Sequence, residues 1–271
     1  MRTIAFMNQK GGVGKTTCTV NLAAALALRE RRVLLVDVDP QANASIHLSV
    51  AIHGLPRSIY HVLTGACPVR EAVIADLRPH LSVLPANIDL SGAEVELVNA
   101  VGRETILRDA LDAYFAEESF DFVLIDCPPS LGLITLNMLA AADALLIPLQ
   151  CEYYALEGIS QLLNTVHLVQ KGLNEGLVID GVLLTMYDAR LNLSRQVAAD
   201  AREYFGAGVF ETVIPRNVRL AEAPSFGKPI ILYDVASVGA QAYVNVAAEL
   251  MKRVRSAATK SVTTPMGAGG R

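Results

Sequence analysis

A glycine-rich loop between a strand-like segment and a helix-length apolar segment is the feature that most constrains the fold of this chain. The loop reads NQKGGVGKTT over residues 8–17, and the apolar, β-branched run Thr3–Asn8 leads into it. Glycines in such a unit let backbone N–H groups close around phosphate oxygens, while the positive end of the following helix points at the same place. We therefore expect a phosphate-binding loop here rather than a turn without a ligand.

The loop departs from the usual phosphate-loop pattern in two ways. The pattern G-x-x-x-x-G-K-[ST] requires glycine at the position of Gln9, and Lys10 is an additional lysine ahead of the expected Lys15. A dinucleotide fingerprint fits less well, because G-x-G-x-x-G would need glycine in place of Thr17. From the residue types we expect Lys15 to supply charge to the outer phosphates and the Thr16 hydroxyl to be a ligand of Mg²⁺.

Strand-length apolar segments alternate with helix-length segments along the chain, and strands that are apolar on both faces are typical of parallel sheets covered on both sides. We predict an α/β fold with an open, doubly wound, mostly parallel sheet and helices on both faces, as a single domain over residues 1–256. Residues 257–271 are small and polar, and we expect a disordered tail there. Residues 54–70 have a mixed pattern interrupted by proline and glycine, and we assign no helix or strand there. The predicted strands are Thr3–Asn8, Val33–Val38, Leu81–Pro85, Phe120–Asp126, Ala144–Leu149, Val178–Met186 and Val209–Ile214.

Composition excludes several classes of protein. Apolar residues make up 52% of the 271 residues, yet charged residues interrupt every apolar run before it reaches the roughly 20 residues of a membrane span. The N-terminus has no signal-peptide pattern, so we expect a cytoplasmic protein. The net charge of −4 argues against an overall basic nucleic-acid binder and leaves a local basic patch open. The four cysteines form no C-x-x-C pair, and we interpret them as core residues.

Two predicted strands end in aspartates that fit a phosphate site. Asp126 closes the segment FVLID, and Asp39 lies in DVDPQ at residues 37–41. Ligands of open α/β sheets gather at the carboxyl ends of the strands. We expect Asp126 to hold Mg²⁺ through its water shell, as a Walker B aspartate does, and Asp39 to orient or deprotonate an attacking water. The alternative for each is a helix cap or a turn residue at a strand end.

Five motifs stand out along the chain, namely KGGVGKTT at 10–17, DVDPQ at 37–41, DCPPS at 126–130, CEYYALEG at 151–158 and PRNVRLAEAP at 215–224. Together they resemble the motifs of the deviant-Walker partition ATPases, and most closely those of the ParA/Soj chromosome-segregation branch. The resemblance covers about residues 2 to 252, and the last two motifs are more specific for this branch than the phosphate loop.

This resemblance implies an ATP-driven switch in which two ATP-bound subunits form a homodimer around their nucleotides. Lys10 would reach into the partner's site, where it offsets the repulsion between two facing triphosphates. The resemblance implies Lys10, Lys15 and Asp39 as catalytic residues, with Asp39 positioning the hydrolytic water. Thr16 would bind Mg²⁺, supported by Asp126 through water.

Two segments of the second half of the chain would frame the adenine by the same resemblance. Many relatives have asparagine where this chain has Thr185, so we leave Thr185 out of the expected base contacts and favour Asn217. The expected nucleotide contacts are Lys10, Gly11, Gly12, Val13, Gly14, Lys15, Thr16, Thr17, Met186, Pro215 and Asn217.

The resemblance also implies that the ATP-bound dimer binds DNA without sequence preference and is stimulated by a ParB/Spo0J-type partner. The chain would thus be nucleoid-associated and would segregate chromosomal or plasmid DNA. The matching basic residues are Arg190 and Arg219, with Arg195, Arg202 and Lys228 nearby. Dimerisation would double the phosphate contacts and so couple ATP to DNA affinity. The alternative is that these arginines are solvated or ion-paired surface charges. The loop starts at residue 9, so we expect no N-terminal helix-turn-helix domain.

Three rival functions stay open at this point. A MinD-like ATPase would need a basic amphipathic C-terminal helix, but the apolar face of residues 249–260 is small, so no membrane partner is expected. A relative of the nitrogenase iron protein would need cluster-ligating cysteines, and Cys127 and Cys151 are better explained as core residues. A ParA-like ATPase that positions another cargo is separated from chromosome segregation only weakly by the sequence, although the segments CEYYALEG and PRNVRLAEAP favour segregation.

Overall fold

The computed structural model describes residues 1–153, 155 and 157–262, with the backbone alone for residues 157 and 257–262. The described residues form a seven-stranded sheet in the order β3-β4-β2-β5-β1-β6-β7, in which only the β3–β4 pair is antiparallel. This confirms the predicted fold class. The strands are β1 (Arg2–Phe6), β2 (Val33–Asp37), β3 (Ile74–Arg78), β4 (Leu81–Leu84), β5 (Phe122–Asp126), β6 (Ala144–Gln150) and β7 (Val178–Thr185).

Helices cover both faces of the sheet. Alternate residues of a strand point to opposite faces, and in β2 Leu34 and Val36 belong to one hydrophobic cluster while Val33 and Leu35 belong to another. The helices are α1 (Lys15–Ala27), α2 (Asn43–His47), α3 (Ile59–Leu63), α4 (Val69–Ala72), α5 (Leu90–Glu96), α6 (Ile106–Phe115), α7 (Leu133–Ala141), α8 (Glu157–Gly172), α9 (Asn192–Phe205), α10 (Val218–Glu222), α11 (Ile230–Tyr233) and α12 (Val238–Val262).

The predicted strand Val209–Ile214 is wrong. Among the described residues this segment forms one isolated bridge, between Val182 and Val209, and a second bridge joins Tyr187 to the residue after the segment, Pro215. In the middle of the segment two backbone N–H groups donate to the Glu249 carboxylate of α12, at 2.8 and 3.0 Å, instead of to β7. A side chain thus replaces the neighbouring strand as acceptor, and the ladder cannot continue.

The predicted tail starts too early. Helix α12 continues to Val262, so residues 257–262 are helical, and the sequence AATKS there contains nothing that stops a helix. Residues 263–271 lie outside the described residues, as do Tyr154 and Leu156 of the motif at 151–158.

Candidate nucleotide-binding site

The phosphate loop connects β1 to α1 in a conformation that depends on its glycines. Gly12 and Gly14 have φ angles of 74° and 91°, in the left-handed region that favours glycine. The buried Asn8 side chain donates through Nδ2 to the carbonyl oxygen of Pro148 in β6, at 2.8 Å, and thereby fixes the start of the loop. The amides of Gly12, Val13 and Gly14 donate to no acceptor in the part of the chain that the structure describes. These N–H groups are available to an anion.

The two lysines of the loop occupy different environments. Lys15 is 8% exposed, and its Nζ donates to the carbonyl oxygens of Asn8, at 2.9 Å, and Lys10, at 3.3 Å. Burial lowers the pKa of Lys15, while the charge of Asp126 acts in the opposite direction. The Lys10 residue itself is exposed. Lys15 therefore belongs to the cavity of its own chain, and Lys10 is accessible from outside.

Thr16 and Asp126 lie side by side at the start of α1. The Thr16 hydroxyl donates to Asp126 Oδ2 at 2.7 Å, and the Thr19 hydroxyl donates to Oδ1 at 3.0 Å. Asp126 is fully buried, and burial, followed by the neighbouring Asp37 carboxylate, raises its pKa. The described part of the chain has no cluster of three acidic, histidine or cysteine side chains that could hold a metal by itself. The pair of oxygens fits Mg²⁺, which keeps several waters and binds through few protein ligands plus phosphate oxygens.

The loop that carries Asp39 is organised by Asp37, to which the sequence assigned no role of its own. Asp37 is fully buried at the end of β2, where Oδ2 accepts from the Ser45 amide at 2.8 Å and from its hydroxyl at 2.7 Å. Its Oδ1 accepts from the Asp39 amide at 3.2 Å. Asp37 therefore ties the Asp39 loop to α2. The available signal was the position of Asp37 at the end of the buried apolar run VLLV, whereas Asp39 lies beyond the end of the strand.

Two adjoining cavities open above the carboxyl ends of the strands. One has a volume of about 560 Å³ and is lined by the phosphate loop, Asp39 and α2 residues. The other, of about 220 Å³, is mostly apolar and is lined by residues from β7 and the segment after Ile214. Gly14, Thr17 and Met186 line both. A cavity beside the phosphate loop that adjoins a mostly apolar one matches a ligand that has phosphates at one end and a flat base at the other.

The apolar cavity brings together the three residues predicted to contact the base. Met186, Pro215 and Asn217 all line it, and Met186 has a φ of 50°, which is rare for a side chain of this size. The Asn217 Oδ1 atom is buried without a hydrogen-bond partner. An unpaired buried acceptor is costly, and a ligand N–H would satisfy it. Thr185 also lines the cavity, but its hydroxyl donates to the Val13 carbonyl oxygen at 2.8 Å.

The two predicted DNA-binding arginines form exposed ion pairs. Arg190 donates to Asp188 through Nε and Nη2, at 2.9 and 2.7 Å, and these bonds lower the pKa of Asp188 to about 2. Arg219 contacts Glu222 at 2.9 Å and Asp234 at 3.5 Å. Solvent screens exposed pairs of this kind, so they contribute little to stability. A DNA phosphate that binds either arginine would therefore have to displace a carboxylate that the arginine holds only weakly. Of the three neighbours, Arg195 and Arg202 donate to nearby backbone carbonyls, and Lys228 is exposed.

Known proteins resemble this chain over almost its whole length. Residues 1–179 match the family described as AAA domain. The chromosome partitioning protein ParA of Myxococcus xanthus is 56% identical, over 93% of this chain and 88% of that protein. The sporulation initiation inhibitor protein Soj of Bacillus subtilis is 55% identical, over 92% of this chain and 98% of that protein. This chain belongs to the ParA/Soj family of chromosome-partitioning ATPases.

A solved structure shares the fold of this chain. Cobyrinic acid a,c-diamide synthase from Mycobacterium smegmatis, crystallised with bound ADP and magnesium, has a TM-score of 0.82 and 40% identity. The alignment covers 95% of this chain and 96% of that one. No helix in the described part of this ParA/Soj chain combines the length and apolarity of a membrane span. Its four cysteines, among them Cys127 and Cys151, are free and buried, which leaves none of them at a surface where two subunits would share a cluster.

Proposed function

We propose that this ParA/Soj-family chain is a switch that binds ATP and Mg²⁺, dimerises, binds DNA and hydrolyses ATP slowly. The observation that carries the proposal is the pair of adjoining cavities, one beside the free amides of the phosphate loop and one around the unpaired Asn217 Oδ1. Bound ATP and Mg²⁺ supply the transferable phosphoryl group and the charge that stabilises its transfer.

The residues of the larger cavity divide the work of binding and hydrolysis. The loop amides and the positive end of α1 hold phosphate oxygens. The Lys15 Nζ, which donates to two carbonyl oxygens, would donate to phosphate oxygens instead. The Thr16 hydroxyl, which donates to Asp126, would be a ligand of Mg²⁺, and Asp126 would support the metal site from beside it. Asp39, which lines the same cavity, orients the attacking water and accepts its proton.

Dimerisation is proposed because the Lys10 side chain has no hydrogen-bond or ion-pair partner among the described residues that would explain a second lysine in the loop. Its backbone amide is fixed by Asn8 Oδ1 at 3.0 Å, whereas the residue is exposed. Two ATP molecules that face each other across an interface repel, and a lysine from each subunit reduces that repulsion. In this arrangement each site is complete only when the second copy contributes its lysine.

DNA binding is proposed to depend on the dimer because the chain is acidic, with a net charge of −4. A monomer offers Arg190 and Arg219, each held by weak ion pairs, and a dimer offers both sets at once. Counterion release makes affinity rise steeply with the number of phosphate contacts and fall with salt. A ParB/Spo0J-type partner would stimulate hydrolysis, release the dimer from DNA and so couple the cycle to segregation of chromosomal or plasmid DNA.

The test is a DNA-binding titration with ATP, ADP and no nucleotide, at two salt concentrations. We expect tight binding with ATP only, weakened strongly by salt. Arg219→Ala is expected to abolish this binding and leave ATP-dependent dimerisation intact. Arg70→Ala, which removes another exposed arginine that forms an ion pair with a glutamate, is the matched control. DNA affinity that is the same in all three nucleotide states would overturn the proposal, and loss of dimerisation in Arg219→Ala would make that arginine structural.

A further inference from the structure

One buried hydroxyl connects the last strand of the sheet to the phosphate loop. Thr185 ends β7 and is 2% exposed, and its Oγ1 donates to the carbonyl oxygen of Val13 at 2.8 Å. The backbone of Thr185 is fixed in turn, because its carbonyl oxygen accepts from the Cys151 amide at 3.1 Å. The hydrogen bond therefore joins a rigid strand end to the middle of a glycine-rich loop, 172 residues away in sequence.

The orientation of one peptide unit depends on this bond. In a trans peptide the C=O and the following N–H point in opposite directions. With the Val13 carbonyl oxygen held by Thr185 in the interior, the Gly14 N–H points to the other side of the unit. Gly14 lines both cavities and its N–H has no acceptor in the described part of the chain. The hydrogen bond from Thr185 to Val13 thus orients the Gly14 N–H toward the cavities, where it can donate to a ligand.

A glycine at position 14 makes this orientation easy to lose. Gly14 lies at a φ of 91° and has no Cβ that would hinder rotation of the preceding peptide unit. A rotated unit would present the Val13 carbonyl oxygen to an anion, which repels it. The β-branched side chain of Thr185 is restricted at χ1, and its methyl group lies 4.0 Å from the point where a Cβ of Gly14 would be. Threonine thus both holds the carbonyl and fills the adjacent space.

We propose that Thr185 is a positioning residue for polyphosphate, and that it acts through the Val13–Gly14 peptide rather than by contact with the base. The inference rests on the proposed nucleotide site and deepens it. The ligand class is a nucleoside di- or triphosphate, of which the recognised part here is the phosphate chain.

The experiment compares Thr185→Val, which removes the hydroxyl and keeps the shape, with Thr185→Ser, which keeps the hydroxyl. Isothermal titration measures the binding of inorganic tripolyphosphate with Mg²⁺ and, separately, of ATP with Mg²⁺. Thr185→Val is expected to weaken both by about tenfold or more, which is the scale of one unpaired buried acceptor. Thr185→Ser is expected to stay close to the unchanged protein. Ser194→Ala removes another buried hydroxyl, which donates to the Cys151 carbonyl oxygen at 3.2 Å, and should leave both affinities unchanged.

Three other outcomes would overturn the inference or the proposed function. If Thr185→Val weakens ATP but not tripolyphosphate, Thr185 acts on the base, and the inference is wrong. If it lowers the melting temperature by as much as Ser194→Ala does and leaves both affinities unchanged, the bond is structural, and the inference is again wrong. If the unchanged protein binds neither ligand, the proposed function itself fails. Should Thr185→Val not fold, Thr185→Ala removes the same hydroxyl without a methyl against the Val13 carbonyl, and the same expectations apply.

Discussion

The contact between Gly227 and Ser49 joins the segment after α10 to the end of α2, and it allows a quantitative test of the packing beside the site. Gly227 has a φ of 61°, and Ser49, itself at a φ of 65°, donates through its hydroxyl to the Gly227 carbonyl oxygen at 2.9 Å. A Cβ added at Gly227 would lie 1.9 Å from Ser49 Oγ and 3.1 Å from Ser49 Cβ. Gly227→Ala therefore cannot be accommodated unless Ser49 moves.

The expected loss of stability has three parts. The left-handed conformation costs an alanine about 1–2 kcal/mol. Displacement of Ser49 costs about 1–3 kcal/mol, as overpacking usually does. Loss of the hydroxyl bond adds about 0.5–1 kcal/mol, since the bond is exposed. Gly65→Ala measures the cost of the left-handed conformation alone, because Gly65 has a φ of 73° and nothing lies within 4 Å of its added Cβ.

Urea denaturation of both variants measures the free energy of unfolding, and we expect Gly227→Ala to lose clearly more than Gly65→Ala. The melting temperature should fall by about 2–4 °C for each kcal/mol. Ser49→Ala removes the atom of closest approach, so the double variant Ser49→Ala with Gly227→Ala should lose less than the sum of the two single changes. Equal losses in Gly227→Ala and Gly65→Ala would refute the steric argument, because only the backbone conformation would then matter.

Three further predictions concern the site and its surroundings. Lys10→Ala should keep ATP binding but lose ATP-dependent dimerisation or hydrolysis, as measured by light scattering and phosphate release; a variant that no longer binds ATP would show that Lys10 serves its own chain's nucleotide. Asp39→Ala should accumulate an ATP-bound dimer in gel filtration, and a protein that stays monomeric with ATP would count against its role in positioning water. Burial lowers the pKa of His47 to about 4. As the pH falls, the unfolded chain therefore binds a proton at this histidine before the folded chain does. The contribution of His47 to the free energy of unfolding is fully present above about pH 6.5 and declines as the pH falls toward 4. The contribution of His47 to this decline should amount to about 3 kcal/mol and be missing in His47→Gln, whose stability depends on pH through the other titrating groups alone. Parallel pH profiles of the two proteins would contradict the prediction.

The parts of the fold that the sequence predicted well are those with strong local signals. The buried strand Val33–Asp37 is apolar up to its last residue, and the glycine-rich loop before Lys15 is a motif in itself. The edge strand Ile74–Arg78 was missed because it is antiparallel, irregular in register and half exposed, so it has neither an apolar run nor strict alternation. The strand predicted at Val209–Ile214 failed because the competing acceptor, Glu249, is distant in sequence.

Within the site, too, the residues with strong local signals were predicted, and a contact between distant segments was not. Lys15, Thr16 and Asp126 were predicted to lie together because the carboxyl ends of parallel strands meet at one edge of the sheet, and the hydrogen bond of 2.7 Å between the last two fits that expectation. Thr185 was set aside as a base contact, and nothing local to β7 indicates that its hydroxyl binds the Val13 carbonyl. A hydrogen bond between distant segments depends on the packed structure, and no spacing in the sequence encodes it.

The phosphate loop is held from two sides, and the two kinds of contact respond differently to a ligand. On the β5 side the Thr16–Asp126 hydrogen bond occupies the atoms that Mg²⁺ would need, so it must be exchanged when the proposed ligand binds. Toward β6 and β7 the bonds from Asn8 to Pro148 and from Thr185 to Val13 use backbone carbonyls that face the interior, and a ligand has no reason to break them. One flank of the loop can therefore change its partners with the nucleotide state while the other keeps the donor amides in place. A switch built in this way needs its fixed flank as much as its exchangeable one, because phosphate that arrives at a rotated peptide unit meets a carbonyl oxygen instead of an N–H.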